Sequence, residues 1–424
     1  MPEQMQSLAF SPDYPRAALS QLPAQPAVFA LYSADALAQP YLGRTPNLRG
    51  RLERLLQPSP KHPRRLQLAG LVRRIDFRLT GSEFESLLVQ FELLEGVYGA
   101  KSLERMHLRA PAFVRFLGSN RYPRLVVTHR PSRRESNWAY GPFASRAAAE
   151  RYIDEALKLF LLRRCTEELD PDPSHPGCIY SEMKMCLAPC YKGCTDERYA
   201  EEAAAVEQFL ASRGESRLVA LRAQRDKASG GLEYETAAAI HAQVQRVEAV
   251  RALAPELVRP LSRLRAVILQ AAARPGEVTV FLFDHGQLCG PAAFSTTGMR
   301  IQNEQSGSSS LFAHPVAVEP IPESEPATRP IPATDGATPA RPVSGVLEAR
   351  MEATLSGLEA RRTSPSPALR QGHLALLKRW YYRPEVRRAG EIFFPDDEGR
   401  WPLKALLRAA GRVAATALAA SKQN

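Results

Sequence analysis

Two short apolar runs open the reading: Ala27-Val28-Phe29-Ala30-Leu31-Tyr32, then Pro40-Tyr41-Leu42-Gly43, with Asn47-Leu48-Arg49-Gly50-Arg51-Leu52 close behind. Each run has the length of a strand, and Ala34 to Gln39 between them reads as a hairpin. Leu48, Leu52 and Leu55 then recur at steps of four and three, one apolar stripe of a helix, with Arg49, Arg51 and Arg54 on its other faces. Val72 to Leu79 reads as a third strand. Ser82 suits the N-cap of a helix from Glu83 to about Glu95, and Glu85 at its third position completes a capping box. The expectation is a compact α+β unit with a three-stranded sheet over residues 21–102, behind a tail of residues 1–20.

Residues 103–200 continue as a basic, irregular segment with one clear strand, Arg124 to His129. A helix capped by Ser145 is expected from Arg146 to Arg163, with Ala149, Tyr152, Ala156 and Phe160 as its stripe. A loop rich in Pro, Gly and Cys follows. Residues 201–255 read as a helical hairpin, broken at Gly214 and again at Gly230 and Gly231. Its last helix, Glu233 to Leu253, carries a narrow stripe of Ala237, Ile240, Val244 and Val247. Residues 256–302 contain a hairpin, Val278 to Phe283 and Gln287 to Phe294, turning at His285-Gly286. Residues 303–345 are rich in Pro, Ser, Thr and Ala and read as a linker. Residues 346–424 are expected as a C-terminal helical segment, with helices near Leu347 to Arg361, around Trp380 to Tyr382, and near Pro402 to Ala420. The whole is a multidomain α+β chain.

Composition sets the class. Over 424 residues, an apolar share of 44% and a charged share of 24% exclude global disorder and fibrous repeats. The formal charge of +11 points to an anionic partner. No apolar stretch approaches a membrane helix, and no secretory leader is visible, so a cytoplasmic location is expected. Four of the six cysteines, Cys178, Cys186, Cys190 and Cys194, crowd one short stretch, with Cys165 just upstream and only Cys289 remote, reading as a plain hairpin residue. Four thiolates in a loop of Pro and Gly are what an iron–sulfur cluster or a structural zinc requires. Buried free thiols are the other reading.

The order of motifs resembles the UvrC family of excinucleases. Ala27-Val28-Phe29, Tyr41-Leu42-Gly43 and Asn47 to Leu52 are similar to its GIY-YIG nuclease module. Tyr140-Gly141-Pro142-Phe143, Arg164-Cys165, and Cys186-Leu187-Ala188-Pro189-Cys190 look like its central segment. Leu232 to Ala238 looks like its UVR motif. The size is closer to the short homologue called Cho. The resemblance implies a metal-dependent DNA endonuclease in nucleotide excision repair. Such a site needs a divalent ion, Mg or Mn, and cations to neutralise the charge that builds on phosphorus.

By this resemblance Tyr41 stands at the catalytic tyrosine, Arg51 at the phosphate clamp, and Arg44 in place of a lysine. Two positions depart from the pattern. Phe29 replaces the first tyrosine, and Gln90 replaces the metal-binding glutamate, a poor ligand for a hard ion. Ser102 falls near an expected asparagine. The implied activity is therefore either weakened or lost, and the alternative is a non-catalytic DNA-binding or adaptor protein on the same scaffold. The family likeness also implies a [4Fe–4S] cluster on Cys165, Cys178, Cys186 and Cys190, with Cys194 as an alternate ligand and zinc as the alternative metal. Tyr234, Glu235, Ala237, Ala238 and Ile240 are expected to dock the matching hairpin of a UvrB-type protein. Arg121, Tyr122, Arg124, Arg130, Arg133 and Arg134, with Arg115 and Trp138 nearby, are the expected nucleic-acid surface, cations with stacking platforms for damaged double-stranded DNA.

Overall fold

The computed structural model describes residues 5–35, 37–57, 68–132, 134, 136–299 and 343–423. Arg133 and nearly all of the Pro-rich stretch 303–345 lie outside them.

The first unit runs β1 (Gln6–Ala9), α1 (Pro15–Leu19), β2 (Ala27–Ser33), β3 (Tyr41–Thr45), α2 (Leu48–Leu56), β4 (Val72–Leu79) and α3 (Glu83–Tyr98). Its sheet has four strands rather than three, in the order β1-β4-β2-β3. The extra strand comes from the expected tail, where Gln6 to Ala9 pairs antiparallel with β4. Strand alternation sends Phe29 and Leu31 toward Leu48 and Leu52 of α2, and Val28 toward Val89 and Leu93 of α3. The sheet is thus covered on both faces. Asn47 caps α2 by accepting from the Gly50 N–H at 2.9 Å. Ser82 caps α3, but Glu85 reaches past it to the Gly81 N–H at 2.9 Å, so the expected capping box closes one residue early.

The second unit follows α4 (Ser102–Arg105) with β5 (Ala112–Phe116), β6 (Leu125–Thr128), β7 (Ala139–Phe143), α5 (Arg146–Ala156), α6 (Ile179–Glu182), α7 (Asp196–Ala211), α8 (Glu215–Gly230), α9 (Tyr234–Ala252) and β8 (Arg259–Pro260). The segment expected to be irregular holds three strands of a sheet ordered β6-β5-β7-β8. The expected helix to Arg163 stops at Ala156. Past it, the Leu161 N–H goes to Glu202 at 2.7 Å and the Arg163 N–H to the Tyr199 hydroxyl at 3.2 Å, so α7 takes donors that a last helical turn would have used.

The third unit contains β9 (Arg265–Ala271), β10 (Glu277–Asp284), β11 (Gln287–Ser295), α10 (Val343–Ala360), α11 (Pro367–Tyr381), β12 (Glu391–Phe393) and α12 (Leu403–Gln423). The hairpin turns where expected, with His285 at φ 49 and Gly286 at φ 87, the positive pair of a two-residue turn. The boundary drawn between 256–302 and 346–424 does not hold. β12 pairs with β9 in a sheet ordered β11-β10-β9-β12, and α10 and α12 cover one of its faces. Its other face meets α11, which also packs on Phe84, Leu88 and Phe91 of α3. A single helix, α3, therefore serves two units. No helix among the described residues is long and apolar enough to cross a membrane.

Candidate functional site

Because α2 starts directly after β3, its first turn folds back over the strand. Arg51 Nη2 donates to the Tyr41 hydroxyl at 3.4 Å, a long bond at a half-buried site. Phe29 lies beneath, 1% exposed, its ring centre 6.2 Å from that of Tyr41. It faces Gly43 across the ladder, where a Cβ would meet its Cζ at 2.7 Å. These three expected residues share the α2 face of the sheet.

Arg44 and Gln90 do not join them. Arg44 alternates to the α3 face and stands 3.9 Å from Glu83, which Arg383 grips with two bonds of 2.8 Å. That grip holds the Glu83 carboxyl below its ordinary range. Gln90 sits half-buried on α3 beside Val89. β3 is an edge strand, and Tyr41 and Arg44 lie on its opposite faces. Two other acids lie on α3. Glu85 is buried 4.0 Å from Arg78, and burial pushes its carboxyl up; burial likewise pushes Glu92 up to about 7. Chemically, the Tyr41 and Arg51 pair offers a hydroxyl and a guanidinium cation, and no carboxylate bonds to either among the described residues. Ser102 is fully buried at the start of α4.

The cysteines gather in the loop before α7. Cys178 caps α6, Cys190 is buried in a short 3-10 turn, and the Ala188 N–H donates to Cys186 Sγ at 3.4 Å. The loop is tied down by bonds from the Leu187 N–H to the Leu161 carbonyl and from the Asp172 N–H to the Cys190 carbonyl. Burial raises the Cys186 thiol, the Ala188 N–H pulls it back, and the Cys178, Cys190 and Cys165 thiols add to the rise. The four are thus near neighbours. Among the described residues, however, no three His, Cys, Asp or Glu side chains stand in an arrangement that would hold a metal ion. Soft thiols in one loop suit a thiolate centre by chemistry.

Two of the expected DNA-binding residues, Arg121 and Tyr122, are committed to internal bonds. Tyr122 is buried, its hydroxyl on Asp196 at 2.7 Å, so it offers no stacking platform. Arg121 holds the other oxygen of Asp196 at 2.7 Å, and the Trp138 indole donates to Glu207 at 2.9 Å. Arg124 and Arg115 are half-buried; Arg130 and Arg134 are exposed. On the α8–α9 hairpin, Val244, Val247 and Val250 are buried, Ala237 and Ile240 half-buried, and Glu235 and Ala238 exposed. Leu232 and Tyr234 at its tip are 70% and 65% exposed. The anchoring acids Asp196, Glu202 and Glu207 escaped the sequence reading, since nothing local marks an acid whose partner lies in another element.

Residues 113–209 match the family described as "UvrC/Cho excinuclease, middle domain". The chain is 29% identical over 236 residues to UvrABC system protein C of Klebsiella pneumoniae, covering 55% of this chain and 38% of that protein. It is 27% identical to the same protein of Alcanivorax borkumensis over 54% of this chain and 37% of that one. With that of Brucella abortus it shares 27% identity over 67% of this chain and 45% of the relative. The chain thus spans less than half the length of these relatives. No solved structure matches it.

Proposed function

We propose that the chain is a UvrC- or Cho-like component of nucleotide excision repair in the cytoplasm, acting on damaged double-stranded DNA with a weakened or lost GIY-YIG endonuclease centre. The observation that carries this reading is the middle-domain match, which spans β5 through α7 and so includes the cysteine loop and the sheet beneath it. Phe29 and Gln90 support the loss of activity, as does the separation of Arg44 and Gln90 from the Tyr41 and Arg51 pair. If the centre works, Mg or Mn would supply charge neutralisation at the phosphorus. Arg51 would hold the phosphate beside the Tyr41 hydroxyl.

Cys165, Cys178, Cys186 and Cys190 would hold a [4Fe–4S] cluster, with zinc as the alternative. Its bonds would order a loop that has little apolar content of its own. The exposed tip of the α8–α9 hairpin would take the hairpin of a UvrB-type protein, because a two-helix unit with an uncovered apolar edge gains by pairing with another.

Incision of damaged supercoiled plasmid with Mg or Mn tests the main claim. Little or no nicking is expected from the parent chain, with partial gain when Phe29→Tyr and Gln90→Glu are combined. Strong metal-dependent nicking that vanishes in Tyr41→Phe would reverse the reading of a crippled centre. For the partner, Ala238→Glu is expected to abolish capture of a UvrB-type hairpin while leaving the fold intact.

A further inference from the structure

Between α5, α8 and α9 lies a groove of about 590 Å³ whose cations come from three separate elements. Arg151 on α5, Lys158 just beyond its end, Arg217 on α8 and Arg246 on α9 line it, against one acid, Glu155. Glu155 engages Lys158 at 2.7 Å, and Arg217 lies over the Phe160 ring at 4.9 Å. Arg151 and Arg246 are exposed and form no ion pair among the described residues. The floor is apolar, with Leu221 and Val247 buried beneath it. The loop around Arg121, by contrast, spends its leading cation on Asp196.

We infer that this groove holds the phosphodiester backbone of a single DNA strand. A space of this size takes a ligand of modest dimensions and cannot admit a duplex. Cations from three elements around one channel match a chain of evenly spaced anions. No aromatic side chain lines the groove among the described residues, so the backbone rather than the bases is what it grips. Binding is accordingly independent of sequence. The inference rests on the excision-repair reading, in which the strands around a lesion are partly separated, and it places one of them against the middle unit.

The test is fluorescence anisotropy of the full chain with a labelled oligothymidylate, with damaged duplex titrated in parallel. Arg151→Ala combined with Arg246→Ala is expected to weaken single-strand binding roughly tenfold at 0.1 M salt, and to flatten its log–log salt dependence by about 1.4 for two lost phosphate contacts. Arg151→Lys combined with Arg246→Lys is expected to retain most of the affinity, and melting curves check that all variants fold. If the parent binds duplex but not the single strand, or if the double alanine variant binds it with unchanged affinity and slope, the groove assignment falls and the repair reading stands. If the parent binds neither DNA, the repair reading fails with it. If the double variant loses only binding to polyglutamate, the occupant is an acidic protein segment and the inference is overturned.

Discussion

The Tyr122 hydroxyl donates to Asp196 Oδ1 at 2.7 Å, joining the loop between β5 and β6 to the first residue of α7. Arg121 takes the other oxygen, and the Tyr122 ring meets Tyr199 edge-on with centres 5.3 Å apart. The basic loop is thereby pinned to the helix that follows the cysteines.

Tyr122→Phe keeps the ring contact and removes one hydrogen bond at a buried site, so it is expected to lower stability by about 1 kcal/mol in denaturant unfolding. Bonds from Arg121 and then Tyr122 hold the Asp196 carboxyl below its ordinary range. A lowered acid contributes stability that is present above the unfolded value and lost as pH falls through the folded one. The melting temperatures of the parent and of Asp196→Asn should therefore converge as pH drops below the usual carboxylate range. A constant gap would show that the anchor is not electrostatic.

Gly372 of α11 is where the third unit touches α3, and a Cβ there would come within 1.9 Å of Phe91 Cζ. Phe91 is fully buried and has no room to withdraw. Gly372→Ala is expected to cost about 1–3 kcal/mol through overpacking. Adding Phe91→Leu should recover part of that loss in urea titrations. Normal stability of the single variant would mean that α3 and α11 are not in contact in solution.

Glu92 is a half-buried acid, raised to about 7 by burial against a smaller opposing pull from Arg78. A raised acid carries no cost below its unfolded value and costs progressively more stability as pH climbs from there to its folded value. Glu92→Gln is expected to leave the melting temperature nearly unchanged at pH 4 and to raise it at pH 8, where it recovers roughly 2–3 kcal/mol of stability. Equal effects at both pH values would place the carboxylate in water.

The cysteine loop yields a chemical prediction. Protein purified without oxygen is expected to be brown, with iron and sulfide bound, and Cys186→Ser should lose colour and solubility together. One equivalent of zinc in colourless protein would assign a structural zinc site instead. A fully folded protein with neither metal would leave the cysteines as ordinary thiols.

Much of the first unit was legible in sequence because its signals are local. Asn47 precedes a leucine stripe, and Ser82 precedes an apolar helix, so both caps follow from neighbouring side chains. β5 and β7 were not legible. Ala112 to Phe116 and Ala139 to Phe143 are almost wholly buried, so neither alternates apolar with polar, and Gly141-Pro142 reads as a turn signal. Of the site, the spacing of Tyr41 to Arg51 was readable, but not that Arg44 faces away from them.

The sequence by itself determined the elements whose causes are near at hand: the β2–β3 pair, the His285-Gly286 turn, the capped helices and the α8–α9 hairpin. Tertiary structure alone decided how they are shared. Ile392 pairs with Ile268, α3 packs under two units, and Arg151, Arg217 and Arg246 converge on one groove. Periodicity records which face of an element is apolar, because that choice is made within a few residues. It does not record which other apolar face will cover it. That depends on shape and burial summed over distant segments, and a three-residue strand such as β12 buries too little by itself to signal its partner.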